Sequence, residues 1–332
     1  MGFARVFGAA SMAVIMGAGI TSAQEVTLSA IYSLPPSNDL FVSYTNFVDD
    51  VNANGKGLLQ INLRGGVEAV PRNEQFSATS LGIVDIYMGP AGYYQGQMPE
   101  LAVIDAAAVP ADKLRAAGLH EALDDVMREK MGISLLGLVG TGYNFQFYTI
   151  AKPTISADGD IDMTGMRIRG GPSYDTMYNA LDIIRVDIPA GDIYTALERS
   201  VVDGIGFTTI GVSSAGWQEF LRYRIFPTWR QGNTIIAMNA AARDRLTDEQ
   251  EAYLLEMMAK HEMLAYDMAK QLEATDTAAL AAAGVEDIIL EGPGAARITG
   301  AFQDTFWDSV AQSTSAEFVA RFRPIVDAAN AM

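Results

Sequence analysis

Segments typical of strands and helices alternate through the first part of this 332-residue chain. The pattern predicts strands over 26–32, 58–63 and 83–88, separated by a helix over 39–52 and a short helix over 71–81. Strands that are joined through helices pair in parallel, so the chain is expected to form an α/β fold.

The loops that follow these strands are candidate walls of a ligand cleft, because ligands of open α/β sheets bind at the carboxyl ends of the strands. Three loops occupy that position, at 32–36, 65–72 and 89–94.

A second unit repeats the alternation. Its predicted strands and helices lie over 133–139, 166–169, 174–181, 184–188, 192–200 and 201–207. Thr247 and Gln250 then form a capping box, which predicts a long helix that reaches Ala283 and ends at Gly284. At about 1.5 Å per residue this helix is long enough to cross two domains. A short strand over 288–290 and a final helix over 294–313 are predicted to complete the chain.

The N-terminus has the form of a cleaved secretory signal. One positive charge, Arg5, precedes an uncharged apolar run over 6–20, and small residues follow over 21–23. The run is too short for a membrane-spanning helix, which needs about 20 residues. Residues 1–23 are therefore predicted to be a signal peptide, and the mature protein to be periplasmic.

Composition excludes several classes of function. The chain has 23 Lys and Arg against 40 Asp and Glu, a net charge of −17, so nucleic acid is not an expected partner. It has no cysteine, which excludes disulfides, thiolate metal sites and a Cys nucleophile. Neither His120 nor His261 is followed by the second histidine of a zinc-peptidase helix. No catalytic motif, metal site or cofactor site is predicted.

Arg169 is the strongest candidate for a binding residue. It ends a predicted strand in the segment Met-Arg-Ile-Arg-Gly-Gly-Pro, residues 166–172. A guanidinium group can form two hydrogen bonds to a carboxylate, and Gly170 and Gly171 leave room for its approach. From these residues alone, an arginine that pairs with an internal acid is the alternative.

Two segments identify a family. Residues 164–169 resemble the signature of DctP-type binding proteins of tripartite ATP-independent periplasmic (TRAP) transporters, and residues 193–204 are similar to a second conserved segment. The resemblance implies a two-lobed, type II-like periplasmic binding protein with crossover strands and a long C-terminal helix that spans both lobes. It also implies that Arg169 binds a ligand carboxylate, that the lobes close by a hinge motion, and that membrane permease subunits are the partners.

The resemblance also suggests a division of the chain. Lobe I is expected to comprise 24–145 plus about 234–262, and lobe II 146–233 plus about 263–332. Many members carry a second arginine where Gln146 stands here. In this respect the chain resembles the branch of the family that has a glutamine at this position and binds 2-oxo acids through sodium. That branch, however, has Glu-Trp where this chain has Gly206-Phe207. Members that bind sialic acid have Asn at the position that Phe207 occupies here. The two differences together disfavour a bound cation and a sugar acid.

The expected ligand is a small organic carboxylate with an aromatic body, such as benzoate or hydroxybenzoate. One arginine among many aromatic residues suits such an acid. The predicted binding residues are Arg169, Gln146, Phe207, Tyr148, Asn144, Tyr93, Glu68, Tyr32 and Trp229. Three alternatives remain open: an aliphatic 2-oxo or hydroxy acid as ligand, an exported enzyme that acts on a carboxylate, and a receptor that reports to a membrane sensor.

Overall fold

The structure is a computed structural model that describes residues 1, 24–36, 38–232 and 234–332, without the side chains at positions 304 and 305. Except for its first residue, the predicted signal peptide over 1–23 lies outside the described residues.

Strands and helices alternate along the described chain, as the sequence predicts. The strands are β1 (Val26–Tyr32), β2 (Leu59–Gly65), β3 (Ile86–Pro90), β4 (Ile133–Leu138), β5 (Asn144–Thr149), β6 (Thr154–Ile155), β7 (Ile161–Asp162), β8 (Arg167–Arg169), β9 (Ile184–Val186), β10 (Gly204–Thr208), β11 (Tyr223–Gln231), β12 (Thr234–Asn239) and β13 (Glu286–Ile289).

The helices pack around these strands. They are α1 (Phe41–Asn54), α2 (Gln75–Ser80), α3 (Ala111–Ala116), α4 (Leu119–Met131), α5 (Asp175–Ala180), α6 (Ile193–Glu198), α7 (Ala240–Arg243), α8 (Asp248–Ala282), α9 (Gly292–Ser313) and α10 (Ala316–Asn330). In the described part of the chain, none of them combines the length and the apolar character that crossing a membrane requires.

Two sheets form the centres of two lobes. The first has the order β2-β1-β3-β12-β4, in which β1 pairs in parallel with β2 and β3. The second has the order β13-β11-β5-β10-β8-β9, in which β8 pairs in parallel with β9 and β10. The inserted strands β12 and β5 run antiparallel to their neighbours. Parallel strands joined by helices therefore build each lobe.

The chain crosses between the sheets where β4 leads into β5 and where β11 leads into β12. The first connection covers 139–143, and β12 begins three residues after the end of β11. The predicted two-lobed α/β fold with crossover strands is confirmed.

Helix α8 is a third link between the lobes. Thr247 and Gln250 form the predicted capping box at its start. The first half of the helix packs on α1 and β4 of the first lobe. Near its other end, Asp276 accepts a hydrogen bond from the backbone N–H of Ser213, 2.9 Å away, and Leu280 enters the core of the second lobe. The prediction of a long helix that spans both lobes is correct.

Glu262 fixes the middle of α8 against the first lobe. Its carboxylate accepts hydrogen bonds from Arg115 Nε at 2.5 Å and from the backbone N–H of Leu138 at 2.7 Å, and it lies 2.8 Å from His120 Nε2. Burial alone would raise the pKa of Glu262, but its hydrogen bonds with His120 and Arg115 hold that pKa below its usual range. Burial lowers the pKa of His120. Three elements of the first lobe thus hold α8 through one carboxylate.

The C-terminal helix α10 was not predicted from the sequence, in which the last predicted helix ends at 313. Phe322, Val326 and Ala329 are buried in the core of the first lobe, against α3 and α4. Pro324, a residue that normally ends a helix, lies inside α10 and hid its pattern. This packing places α10 in the first lobe, whereas the predicted division assigned 263–332 to lobe II. The predicted start of lobe II at 146 also differs from the structure, because strand β5 of the second sheet begins at Asn144.

We expect Glu262→Gln to lower the free energy of unfolding by about 1.5–3 kcal/mol, because an amide nitrogen would then face the donors of Arg115 and His120. Urea unfolding measures this loss. Glu256→Gln is the matched control, since Glu256 is exposed on the same helix and its substitution should change stability by less than about 0.5 kcal/mol. Equal stability of the two variants would show that Glu262 does not anchor the helix.

Candidate ligand-binding site

A cavity with a volume of about 50 Å³ lies between the two lobes. Both lobes and the connection between β4 and β5 contribute to the lining. The lining residues are Leu34, Asn38, Leu40, Pro90, Gly92 and Tyr93 from the first lobe, Tyr143 from that connection, and Phe145, Arg169, Gly171, Ser173, Tyr174, Ala190, Phe207, Thr208 and Arg230 from the second lobe.

Arg169 lies at the carboxyl end of β8, between β10 and β9, and only 3 % of its surface is exposed. Its Nε donates a hydrogen bond to the carbonyl oxygen of Ile188 at 2.9 Å. Its guanidinium carbon lies 5.7 Å from the ring centroid of Phe207. Within the described chain, no carboxylate forms an ion pair with Arg169. The guanidinium therefore meets the cavity with hydrogen-bonding capacity that the described acidic residues leave unused.

The backbone of Arg169 is fixed by tyrosines behind it. The Tyr178 hydroxyl donates a hydrogen bond to the carbonyl oxygen of Arg169 at 2.8 Å. Gly170 makes room for these rings, because a Cβ atom there would lie 2.6 Å from Tyr174 and 2.8 Å from Tyr178. Gly171 lines the cavity, and a Cβ atom there would meet no atom within 4 Å. The two glycines thus serve different purposes, the first in packing and the second in leaving the cavity open.

Arg230, on β11, is a second cationic group in the lining that the sequence analysis missed. Its Nη1 forms an ion pair with Asp105 of the first lobe at 2.5 Å, and the two side chains are 1 % and 3 % exposed. Its Nη2 donates to the Ser173 hydroxyl at 3.1 Å. An arginine beside Trp229 in a largely apolar strand was the available signal. The expectation of a single arginine in the site is therefore wrong.

Aromatic rings cover much of the remaining wall. Phe145 and Tyr174 pack edge to face with ring centroids 5.6 Å apart. Burial raises the pKa of Tyr174, although the nearby charges of Arg169 and Arg230 act in the opposite direction. The Tyr174 hydroxyl therefore stays neutral at ordinary pH and keeps its proton. The wall offers flat apolar surface next to a cation.

Residues of the first lobe line the opposite side of the cavity. Asn38 Oδ1 accepts a hydrogen bond from the backbone N–H of Leu40 at 2.9 Å, which fixes the side chain at the lining. The Tyr93 ring lies under the Arg72 guanidinium at 4.9 Å. Near this edge the Ser214 hydroxyl of the second lobe donates to Asp39 at 2.7 Å. A solute in the cavity would touch both lobes at once.

Residues 32–312 match the model of a family described as bacterial extracellular solute-binding protein, family 7, or DctP. The chain belongs to this family. The resemblance to DctP-type binding proteins is thereby confirmed. A curated relative from Albidiferax ferrireducens, named a solute-binding protein, is 25% identical over 242 residues, which cover 68% of each chain.

Solved structures share the fold of this DctP-family chain. A Bordetella pertussis extracytoplasmic solute receptor that binds pyroglutamic acid has a TM-score of 0.76 and 19% identity, over 92% of this chain and 99% of that one. A TRAP periplasmic solute-binding protein from Rhodoferax ferrireducens with bound malonate has a TM-score of 0.75 and 21% identity, over 92% and 98% of the two chains. At these identities the likeness establishes the fold.

Among the predicted binding residues, the cavity of the DctP-family chain brings together Arg169, Phe207 and Tyr93. Gln146 and Tyr148 lie outside its lining. Gln146 is the direct cross-strand partner of Phe207, but it is fully buried and donates to the Tyr148 hydroxyl at 2.6 Å. That hydroxyl donates in turn to the carbonyl oxygen of Thr208 at 2.9 Å. These two side chains support the cavity wall from behind.

Asn144 and Trp229 line a different space, a groove beside α9 and α10. Trp229 belongs to the core, where its ring packs on Phe147 and Tyr174. Strand alternation directs neighbouring side chains of a crossover strand to opposite faces, so only part of the predicted set could reach one cavity.

Tyr32 and Glu68 also lie outside the cavity lining. The Tyr32 ring packs edge to face on Phe41 with centroids 4.6 Å apart. Glu68 folds back on its own loop and accepts a hydrogen bond from the backbone N–H of Gly66 at 2.6 Å. That bond and one from its own N–H lower the pKa of Glu68. Of the three predicted loops, 65–72 contributes no residue to the described lining.

Substitution of the two glycines should have opposite effects on stability. We expect Gly170→Ala to lower the free energy of unfolding by about 1–3 kcal/mol, because the added methyl group overlaps Tyr174 and Tyr178. Gly171 has extended backbone angles and open space, so Gly171→Ala should raise stability by about 0.4–1 kcal/mol. Urea unfolding of both variants measures the difference, and destabilisation of the Gly171 variant alone would contradict this assignment.

Proposed function

We propose that the protein is the periplasmic receptor of a TRAP transporter, which captures a small organic carboxylate and delivers it to membrane permease subunits. The observation that carries this proposal is Arg169, a buried guanidinium that faces the cavity between the lobes without a carboxylate partner among the described residues. The membership in the extracellular solute-binding family supports the receptor role.

A carboxylate is the ligand group that best complements Arg169. A buried cation is costly unless it is paired, and hydrogen bonds between a guanidinium and a carboxylate are among the strong ones in proteins. Structures of similar fold with bound malonate or pyroglutamic acid support this class of ligand for the present chain.

We further propose that the body of the ligand is an aromatic ring, as in benzoate or hydroxybenzoate. Tyr93, Phe145, Tyr174 and Phe207 line the same cavity as Arg169. Aromatic pairs add about 0.5–1.5 kcal/mol beyond the burial of apolar surface. Asn38 and Tyr93 carry the polar side-chain groups of the first lobe in the described lining, and in this proposal they bond a substituent at the far end of the ring.

Closure of the lobes follows from the same geometry. Arg169 belongs to the second lobe, whereas Asn38 and Tyr93 belong to the first. A solute favours the closed state only through contacts that it cannot make in the open state. A ligand that bonds Arg169 and packs on Tyr93 makes such contacts, and the connections between β4 and β5 and between β11 and β12 are the proposed hinges.

We expect Arg169→Ala to weaken carboxylate binding by about 10- to 100-fold, since a hydrogen bond to a charged group contributes roughly 1.5–3 kcal/mol. Calorimetric titration with the acid that binds most tightly measures the loss. Arg167→Ala is the matched control, because Arg167 lies on the same strand but is exposed and paired with Asp203. Equal affinity of the two variants would refute the role of Arg169.

A thermal-shift panel identifies the ligand class. Aromatic monocarboxylates such as benzoate are expected to raise the melting temperature most, because a ligand at 100 times its dissociation constant adds about 2.7 kcal/mol of stability. Aliphatic 2-oxo and hydroxy acids form the comparison set. Stabilisation by the aliphatic acids alone would refute the aromatic ligand, and chemical conversion of a bound acid would favour the exported enzyme over the receptor.

A further inference from the structure

We propose that Asp105 determines the charge of the acid that this protein binds. By neutralising Arg230, Asp105 leaves the cavity with one uncompensated cation, Arg169, and thereby selects monoanions over dianions. The inference rests on the proposed function, because it concerns the ligand of the same cavity.

The ion pair between Asp105 and Arg230 is the first observation. Arg230 lines the cavity, and its Nη1 lies 2.5 Å from Asp105 Oδ1. The exposed fractions of the two side chains are 1 % and 3 %, so water screens neither charge. At such a site a missing counter-charge is far more costly than at the surface, where ion pairs contribute little.

Asp105 acts from outside the cavity. It belongs to the 3-10 segment Pro99–Ala106 of the first lobe and is absent from the described cavity lining. Gln95 Nε2 donates to its Oδ2 at 2.8 Å, which fixes the carboxylate against Arg230. Asp105 is therefore a positioning and charge-setting residue, and it influences a ligand only through Arg230.

Arg230 is held firmly in the wall. Besides its bond to Ser173, its guanidinium lies 4.3 Å from the ring centroid of Phe145 and 5.0 Å from that of Tyr174. These rings restrict the head group to one place. Removal of the Asp105 charge would thus leave a fixed cation at the cavity, available to a second anionic group of the ligand.

The charges of the site decide between ligands. Arg169 and Arg230 supply two positive charges and Asp105 one negative charge, which leaves one positive charge at the buried site. A monocarboxylate cancels it. A dicarboxylate brings one negative charge too many, and a buried charge without compensation is strongly unfavourable.

The test compares matched acids that differ by one carboxylate: benzoate with phthalate, and lactate with malate. Titrations at about pH 8 keep all of these carboxyl groups ionised, since an ordinary carboxyl pKa is roughly 4. We expect Asp105→Asn to raise the affinity ratio of dicarboxylate to monocarboxylate at least tenfold in the pair that binds. An unchanged ratio in a folded variant would overturn the proposal.

A second pair of variants tests the same charges without relying on the fold of Asp105→Asn. Arg230→Gln alone should weaken monocarboxylate binding at least tenfold, because the charges of Asp105 and Arg169 then cancel. The double variant Asp105→Asn/Arg230→Gln restores one net positive charge, so we expect it to bind monocarboxylates at least tenfold more tightly than Arg230→Gln. Absence of this rescue would overturn the role of Asp105.

The binding results distinguish an error in the role of Asp105 from an error in the proposed function. If a monocarboxylate binds the unmodified protein but the variants show neither the altered ratio nor the rescue, only the role of Asp105 is refuted. If no carboxylate, including those of the thermal-shift panel, binds the unmodified protein or any variant, both proposals are refuted together.

Discussion

A buried guanidinium that the described carboxylates leave unpaired is the constraint on which the account of this protein depends. Arg169 is almost fully buried, and its Nε is bonded to the carbonyl oxygen of Ile188. Burial of a charge without compensation is unfavourable, so the fold has to hold the group in place against that cost. Strand β8, the Tyr178 hydroxyl and the Phe207 ring do so. An anionic solute would supply the missing partner.

The two-lobed fold and the long helix follow from local patterns in the sequence. Alternating strands and helices predict the parallel strand pairs of each sheet, and the capping box at Thr247 fixes the start of α8. The position of α10 was not predictable in this way. Pro324 disrupts the expected helical pattern, and Phe322 and Val326 are buried only because the first lobe happens to lie beside them. Such packing depends on contacts between distant segments.

The candidate site was predictable only where a local signal marked it. Arg169 ends a strand before two glycines, and the family resemblance assigned it a role. Gln146 was placed on the correct strand, and the pairing puts it on the same sheet face as Phe207, but it bonds the Tyr148 hydroxyl and lies outside the described lining, which depends on packing that the sequence does not reveal. Arg230 was missed because its partner, Asp105, belongs to the other lobe and is distant in sequence. Long-range charge pairing has no local pattern.

A crystal structure with the acid that stabilises the protein most would test the central claim directly. The expected result is a carboxylate whose oxygens lie about 3 Å from the guanidinium nitrogens of Arg169, with the body of the acid between the rings of Phe207 and Tyr174. A bound acid whose carboxylate contacts the first lobe or solvent, with the Arg169 guanidinium left unbound, would contradict it.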